Sequence, residues 1–325
     1  MRAMEELEFV PNAVARGLSS GKHWILGLIF MQQPLDENVL AVEEASLLYT
    51  DIVIRGAEAR AAAHGYSLLL VGAGEHRPPR MIPLTGTVDG MIVLDRVLSD
   101  DEAVELARRI PIVLLAGKGG SDTAITVRVD NEQAMRSLAE HLVSVHSVRT
   151  VGFVSGMDAS PDSVARHEAF RQASAELGAT LREVDSLKAD WTSAGGESAM
   201  RARLTLDEPL PEVFACANDQ TAVGVIYALN ARGLRVPEDV IVTGFDDITL
   251  TRYFKPPLTT IRQSGSILGE AAVDALVALL DHSTVPERTI VLPTELVVRG
   301  SCGCQAEPDS LTDLYKIASM SKVQG

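Results

Sequence analysis

The sequence predicts an α/β protein whose parallel β-sheets are covered by helices on both faces. From Trp24 onward, short apolar runs typical of buried strands alternate with longer segments of helical periodicity. The clearest unit is residues 212–247, where an apolar run at 213–217 precedes a helical pattern that stops at Gly233. A second apolar strand follows at 240–242. Because neighbouring parallel strands need a long crossover between them, this unit indicates strand–helix–strand.

Polar residues follow both strands of that unit. Asn218 and Asp219 come after the first strand, and Asp246 and Asp247 come after the second. Ligands of open parallel sheets bind beyond the carboxyl ends of the strands, so Asn218 and Asp246 are candidate ligand residues. Asn and Asp at strand ends are also common helix caps and turn formers, and spacing alone leaves both interpretations open.

Composition and charge restrict the partners. The 325 residues are 46% hydrophobic and 22% charged, which is ordinary for a globular protein of more than one domain. The net charge of −15 repels a phosphate backbone, so any DNA contact needs a local element. No apolar run reaches the roughly 20 residues that span a bilayer, and no signal-peptide pattern begins the chain. We therefore expect a cytoplasmic protein without a membrane partner.

The three cysteines, Cys216, Cys302 and Cys304, form no disulfide framework, which fits a reducing compartment. Cys302 and Cys304 are separated by one glycine and could form a metal or redox pair. No second Cys or His pair accompanies them in the sequence and the seven histidines are scattered, so we expect no metal site. The segment GLSSGK at 17–22 is one residue short of a phosphate-binding loop. No enzyme motif and no cofactor is predicted.

Three motifs carry a family resemblance: ANDQTAVGV (217–225), GLRVPEDVIVTGFDD (233–247) and PPLTTIRQ (256–263). They resemble the effector-binding core of the lactose-repressor (LacI/GalR) family of bacterial transcription regulators, and the resemblance extends over about residues 3–303. It implies a periplasmic-binding-protein-like fold of two similar doubly wound subdomains joined by three crossovers, at 127–131, 259–261 and 293–296. The implied N-terminal subdomain is 23–130 plus 262–292, and the C-terminal subdomain is 131–261 plus 293–303.

The resemblance also interprets both ends of the chain. Residues 1–22 resemble the junction between the DNA-binding headpiece and the hinge helix, with Asn12, Ala15, Arg16 and Leu18 at hinge positions. Leu18 matches a leucine that wedges into the DNA minor groove. The alternative for this segment is a loose amphipathic arm. The reader helices of a helix-turn-helix are absent, so we expect operator DNA binding by the full-length protein and weak or no binding by this chain.

The tail at 304–325 has too short a heptad pattern for a stable coiled coil, so a homodimer is expected rather than a tetramer. The resemblance places Arg166, Trp191, Asn218 and Asp246 at effector positions. A carboxylate, an amide, a guanidinium and an aromatic platform suit a sugar. Tyr49 and Thr50 match first-subdomain ligand positions, after an apparent insertion at 31–47. The alternatives are a half-buried helix-start aromatic for Trp191 and a surface salt bridge for Arg166.

The prediction is a transcriptional repressor whose effector binds between the subdomains. Its binding would shift their orientation and, in a homodimer, the spacing of the hinge helices. The main alternative is a solute-binding protein of a sugar uptake system, which shares the fold but needs an export signal. A sugar-processing enzyme is a third alternative, although no catalytic constellation asks for one.

Overall fold

The structure is a computed structural model that describes residues 22–31, 48–73, 84–94, 97–117, 124–158, 160–283 and 287–305. The predicted hinge residues Asn12, Ala15, Arg16 and Leu18 lie outside the described residues, as do most of the predicted insertion at 31–47 and the tail from residue 306. Within the described ranges, no helix is long and apolar enough to cross a membrane.

The first sheet has six strands. They are β1 (Ile25–Met31), β2 (Ser67–Ala73), β3 (Gly90–Val93), β4 (Ile112–Leu115), β5 (Ile125–Val129) and β11 (Thr289–Leu292). Their order is β11-β5-β4-β3-β1-β2, and every neighbouring pair is parallel. The helices that accompany this sheet in the chain are α1 (Leu48–Ala63), α2 (Asp100–Ala107) and α7 (Gly265–Leu280).

The second sheet has four parallel strands. They are β6 (Thr150–Ser155), β7 (Thr180–Lys188), β8 (Val213–Cys216) and β9 (Ile241–Thr243), in the order β7-β6-β8-β9. Its helices are α3 (Asn131–His146), α4 (Pro161–Glu176), α5 (Ser193–Arg203) and α6 (Asp219–Ala231), which pack as the pairs α3–α4 and α5–α6.

Strand β8 shows why this sheet is covered on both faces. Successive side chains of a strand point to opposite sides. Val213 and Ala215 belong to the core that contains α3 and α4, whereas Phe214 and Cys216 belong to the core that contains α5 and α6. All four residues are buried, as the continuous apolar run predicts for a doubly covered strand.

The chain changes sheet three times. It leaves the first sheet after β5, returns through β10 (Thr260–Arg262) to α7, and leaves again through β12 (Glu295–Val297) to a 3-10 helix at Gly300–Cys302. Strands β10 and β12 pair antiparallel in a two-stranded sheet. The predicted class, two doubly wound parallel-sheet subdomains joined by three crossovers, is confirmed. The exact residue boundaries of the subdomains stay a prediction.

Two edge strands were not anticipated from the sequence. Strand β7 is mostly polar, with the sequence TLREVDSLK, and β11 offers only a three-residue apolar run at 290–292, so neither has the pattern of a typical buried strand. The segment 127–131, expected as a crossover, is mostly strand, because β5 pairs with β4 up to Val127 and with β11 up to Val129. The chain crosses only after that residue.

Two glycines hold α1 against α7. A Cβ on Gly56 would overlap the backbone of Ser266, and a Cβ on Gly269 would overlap the carbonyl of Val53. The two backbones therefore touch without intervening side chains. This close contact fixes α1, whose first turn carries Tyr49, relative to the crossover strand β10 that precedes α7.

Candidate functional site

Asn218 lies directly after β8 and caps helix α6. Its Oδ1 accepts a hydrogen bond from the Thr221 backbone N–H at 3.0 Å, and its Nδ2 donates to the Trp191 carbonyl at 2.9 Å. The residue is 5% exposed. The helix-cap interpretation is therefore observed, and the same amide positions the Trp191 backbone. A direct contact between Asn218 and a ligand stays a prediction.

Arg166 of α4 is buried among polar groups of α3, of the end of β8 and of the loop after β9. Its Nε donates to Asn131 Oδ1 at 2.9 Å and its Nη1 to the Ala217 carbonyl, just after β8, at 2.7 Å. Its guanidinium is 3.7 Å from an Asp162 carboxylate oxygen and 4.0 Å from one of Asp246. The Arg166 side chain is only 3% exposed, so the alternative of a surface salt bridge is wrong.

Asp246 lies at the same strand-end edge, three residues beyond β9. Its Oδ1 accepts a hydrogen bond from Gln263 Nε2 at 2.5 Å, and only 7% of the residue is exposed. Burial raises the pKa of the Asp246 carboxyl to about 7, although Arg166 and the Gln263 hydrogen bond oppose that rise. Near neutral pH this carboxyl can therefore accept hydrogen bonds or, when protonated, donate one.

Tyr49 approaches these groups from the other subdomain. Its hydroxyl is buried and has no hydrogen-bond partner among the residues that the structure describes. Burial raises the pKa of Tyr49 well above its ordinary value, the Asp246 charge raises it further, and Arg166 lowers it. The phenol therefore lies within electrostatic reach of the strand-end groups. Thr50, on the same first turn of α1, is half-buried, and its ligand role stays a prediction.

Aromatic rings flank the guanidinium. The Arg166 Cζ is 3.5 Å from the centroid of the Phe245 ring and 5.8 Å from that of Trp191, within cation–π range. The Trp191 indole lies against Gly156, where an added Cβ would overlap the ring. Trp191 is half-buried and directly precedes Thr192, the N-cap of α5. It is thus a helix-start aromatic whose ring is partly accessible beside Arg166.

Three residues of this region have a backbone conformation that side chains rarely adopt. Trp191 has φ of 74°, Asp246 of 118° and Asp247 of 59°. Such conformations cost of order 1–3 kcal/mol each and cluster at functional sites, where the surrounding structure enforces them. Their grouping supports a ligand site at these strand ends.

The carboxylates of Asp219 and Asp247 connect the loop after β9 to the crossover segments. Asp219 is fully buried and accepts hydrogen bonds from the Ile248 N–H at 2.9 Å and the Thr260 hydroxyl at 2.6 Å. Burial, followed by the Asp246 charge, raises its pKa well above the usual range. It therefore ties the loop to the crossover strand β10 and leaves the capping of α6 to Asn218.

Asp247 binds three arginines. Its carboxylate accepts hydrogen bonds from Arg262 Nε at 2.7 Å, from Arg299 Nη2 at 2.7 Å and from Arg252 Nη2 at 2.9 Å. Arg262 ends β10 and Arg299 follows β12, so one carboxylate joins two crossovers to the strand-end loop. The adjacent Asp246 is thereby held in place by two of the three segments that connect the subdomains.

Sequence reasoning missed four residues of this site: Gln263, Asp162, Asn131 and Phe245. Gln263 lies immediately after β10, inside the motif PPLTTIRQ, so a polar residue at the end of a crossover strand could have indicated it. Nothing in the local sequence distinguishes Asp162 or Asn131 from ordinary first-turn helix residues.

The expectation that Cys302 and Cys304 have no Cys or His pair beside them is wrong. The structure brings His141 and His146 to these cysteines, with all ligand atoms within 4.8 Å of one another. His146 and Cys304 are 158 positions apart in the chain, so sequence spacing could not show the cluster.

The sequence of this chain is similar to a known domain family and to characterised bacterial proteins. A family model described as a periplasmic binding protein-like domain matches residues 139–302. The HTH-type transcriptional repressor CytR of Escherichia coli strain K12 is 30% identical over 287 residues, covering 84% of this chain and 83% of the relative. Catabolite control protein A of Priestia megaterium is 29% identical over 308 residues, covering 93% and 88%.

Solved structures of transcription regulators have the same fold as this chain. A lac repressor dimer bound to operator and the anti-inducer ONPF superposes with a TM-score of 0.77 at 25% identity, covering 93% of this chain and 88% of that one. A complex of the transcriptional regulator CelR with cellobiose gives a TM-score of 0.74 at 26% identity, covering 92% and 88%. The curated relatives named here are transcription regulators, rather than enzymes or solute-binding proteins.

Proposed function

Because the chain belongs to the LacI/GalR family of transcription regulators, we propose that its two subdomains close on a sugar effector and so control operator binding. The protein acts in the cytoplasm as a homodimer, and the effector binds among Tyr49, Arg166, Trp191 and Asp246. The relatives give no support to the alternative of a solute-binding protein.

The observation that carries the proposal is the Tyr49 hydroxyl. It is buried without a partner among the described residues, while Asp246 and Arg166 act on it electrostatically from the other subdomain. A buried hydroxyl without a hydrogen bond costs about 1–3 kcal/mol. An effector hydroxyl between Tyr49 and Asp246 would remove that cost and link the two subdomains.

The chemistry of the surrounding groups favours a polyol ring. Asp246, Gln263 and Arg166 supply a carboxyl, an amide and a guanidinium within one hydrogen-bonded group. Trp191 offers a partly exposed ring face for the apolar side of a sugar. The CelR structure contains cellobiose, which is an effector of this class in a relative of the same fold.

Coupling to DNA follows from the crossovers. Gln263 directly follows the crossover strand β10 and donates to Asp246, and Asp247 binds Arg262 of β10 and Arg299, which follows β12. An effector that draws Tyr49 toward Asp246 therefore acts on the segments that set the angle between subdomains. Couplings of this kind amount to about 1–3 kcal/mol, or roughly 5- to 150-fold in operator affinity.

The test begins with thermal-shift screening against sugars and nucleosides, followed by calorimetry with the best ligand. Asp246→Ala should lose roughly 2–4 kcal/mol of binding free energy, because charge-assisted hydrogen bonds are removed. Trp191→Ala should lose about 1–3 kcal/mol of mostly apolar contact. Asp158→Ala is the matched control, since that carboxylate is 67% exposed and pairs with Lys188.

Unchanged affinity of Asp246→Ala would show that the site is misplaced. A nucleoside that binds while every sugar fails would keep the site and reject the sugar class. Operator binding should be measured on the full-length protein with and without the ligand, and an effector-independent affinity would reject the regulatory coupling.

A further inference from the structure

Four side chains of metal-ligand type meet at the carboxyl-terminal end of helix α3. His141 and His146 lie on its last turns, Cys302 ends the 3-10 helix Gly300–Cys302, and Cys304 follows two residues later. Asn131, which bonds Arg166 in the proposed effector site, begins the same helix. At 1.5 Å of rise per residue, Asn131 and His146 are about 22 Å apart, so this cluster is separate from that site.

Four of the distances between these ligand atoms are close to those of one tetrahedral ion. The two histidine Nε2 atoms are 3.3 Å apart, Cys302 Sγ is 3.5 Å from His141 Nε2, and Cys304 Sγ is 3.4 Å from His146 Nε2. Cys304 Sγ is also 3.9 Å from His141 Nε2. Tetrahedral zinc, with bonds of about 2.05 Å to nitrogen and about 2.3 Å to sulfur, requires N–N separations of about 3.3 Å and N–S separations of about 3.6 Å.

Local structure directs the four atoms toward one point. Gly303 adopts φ of 96°, a conformation natural to glycine, and the resulting turn brings the sulfur atoms of the two flanking cysteines to the same histidines. Ser147 ends α3 at φ of 56° directly after His146. The carbonyl end of a helix carries partial negative charge, which favours a bound cation.

We propose that His141, His146, Cys302 and Cys304 bind one Zn²⁺ as a structural site. Two thiolates and two imidazoles are ligands that select zinc over the hard cations Mg²⁺ and Ca²⁺. Four protein ligands complete a tetrahedron and leave no position for substrate, which is typical of structural rather than catalytic zinc.

The ion would fasten the end of the last crossover to the second subdomain. It would join α3 to a segment 158 positions away, closing a long chain loop. Cys302 is 1% exposed and lies three residues after Arg299, whose guanidinium binds Asp247. The Cys302 thiol gives up its hydrogen bond to the Arg299 carbonyl when it binds zinc as a thiolate, so the ion would hold Arg299 through the short chain segment between the two residues. Zinc at this point would therefore also stabilise the arginine group behind the effector site.

The test uses the full chain without a histidine tag, purified under reducing conditions. Elemental mass spectrometry should find one zinc per chain in the wild type. Cys304→Ala should lose the zinc at a chelator concentration that the wild type withstands, and it should still fold because Cys304 is partly exposed. Cys216→Ala is the control, since that buried cysteine lies in β8 and should leave the zinc content unchanged.

Cobalt gives a second measurement that does not depend on purification history. Chelated wild-type protein titrated with Co²⁺ should develop the visible bands of a tetrahedral thiolate complex at one equivalent, and Cys304→Ala should not. Wild-type protein that shows neither zinc nor the cobalt spectrum would overturn the proposal. So would a Cys302–Cys304 disulfide in the intact protein, or zinc bound equally well by Cys304→Ala.

Discussion

Asp246→Asn should stabilise the ligand-free protein at alkaline pH although it removes a charge from the proposed effector site. The folded state raises the pKa of this carboxyl from 3.8 to about 7, mainly through burial. The folded protein therefore binds the proton more tightly than the unfolded chain. That contribution is fully present below the unfolded pKa and is lost as pH rises toward 7. Asparagine keeps the shape of the side chain and never ionises.

The magnitude follows from the two pKa values. Linkage gives a penalty for ionising Asp246 in the folded state of roughly 1.5–2 kcal/mol at about pH 5 and roughly 4 kcal/mol at about pH 8. The stability gained by Asp246→Asn should therefore grow by about 2–3 kcal/mol between those two pH values. Arg166 keeps its contacts with Asn131 and Asp162, so the variant leaves it partnered.

The assay is urea unfolding of wild type and variant at both pH values, in the same buffer ions. Titrating groups that do not interact with Asp246 cancel in the difference between the two proteins. Asp158→Asn is the control, because that carboxylate is 67% exposed and should show no comparable pH dependence. A stability difference between Asp246→Asn and wild type that is the same at both pH values would refute the reasoning.

Three further predictions concern groups whose partners the structure identifies. Tyr49→Phe should leave the free protein as stable as wild type or stabilise it by up to about 1–3 kcal/mol, because a buried hydroxyl without a partner is removed, while effector affinity measured by calorimetry falls. Asp185→Ala should lower the free energy of unfolding in urea by about 3–5 kcal/mol, because it leaves the buried Arg203 guanidinium without its carboxylate. The Asp185 and Arg203 side chains are both fully buried, and Arg203 Nε lies 2.8 Å from Asp185 Oδ1. Gly269→Ala should cost about 1–3 kcal/mol, because its Cβ would push the carbonyl of Val53 and separate α1 from α7.

Each of these has an outcome that contradicts it. Destabilisation by Tyr49→Phe would mean that the hydroxyl already has a partner. The control for Asp185→Ala is Glu168→Ala, which removes an exposed ion pair: the Glu168 side chain is 56% exposed and that of its partner Arg171 is 50% exposed. This control should lower the free energy of unfolding by less than about 1 kcal/mol. If Asp185→Ala costs no more than this control, burial does not set the strength of the pair. Wild-type stability of Gly269→Ala would show that the two helices can separate freely.

The sequence by itself determined the features that local periodicity encodes. The apolar run at 213–217, the helical pattern that stops at Gly233 and the second run at 240–242 specify β8, α6 and β9 with small errors at their ends. A doubly covered strand must be apolar on both faces and a parallel connection must be long, so these patterns predicted the fold class. Strand ends carry ligands in such sheets, which singled out Asn218 and Asp246.

The tertiary structure alone decided which polar groups are already satisfied. Asn218 caps α6 and donates a hydrogen bond to the Trp191 carbonyl, and Arg166 is buried against Phe245. Gln263, which directly follows the crossover strand β10, donates a hydrogen bond to Asp246. The edge strands β7 and β11 and the cluster of two histidines with two cysteines also appear only in the fold. The reason is physical: periodicity depends on neighbours in the chain, whereas hydrogen bonding, burial and ligand convergence depend on residues that only folding brings together.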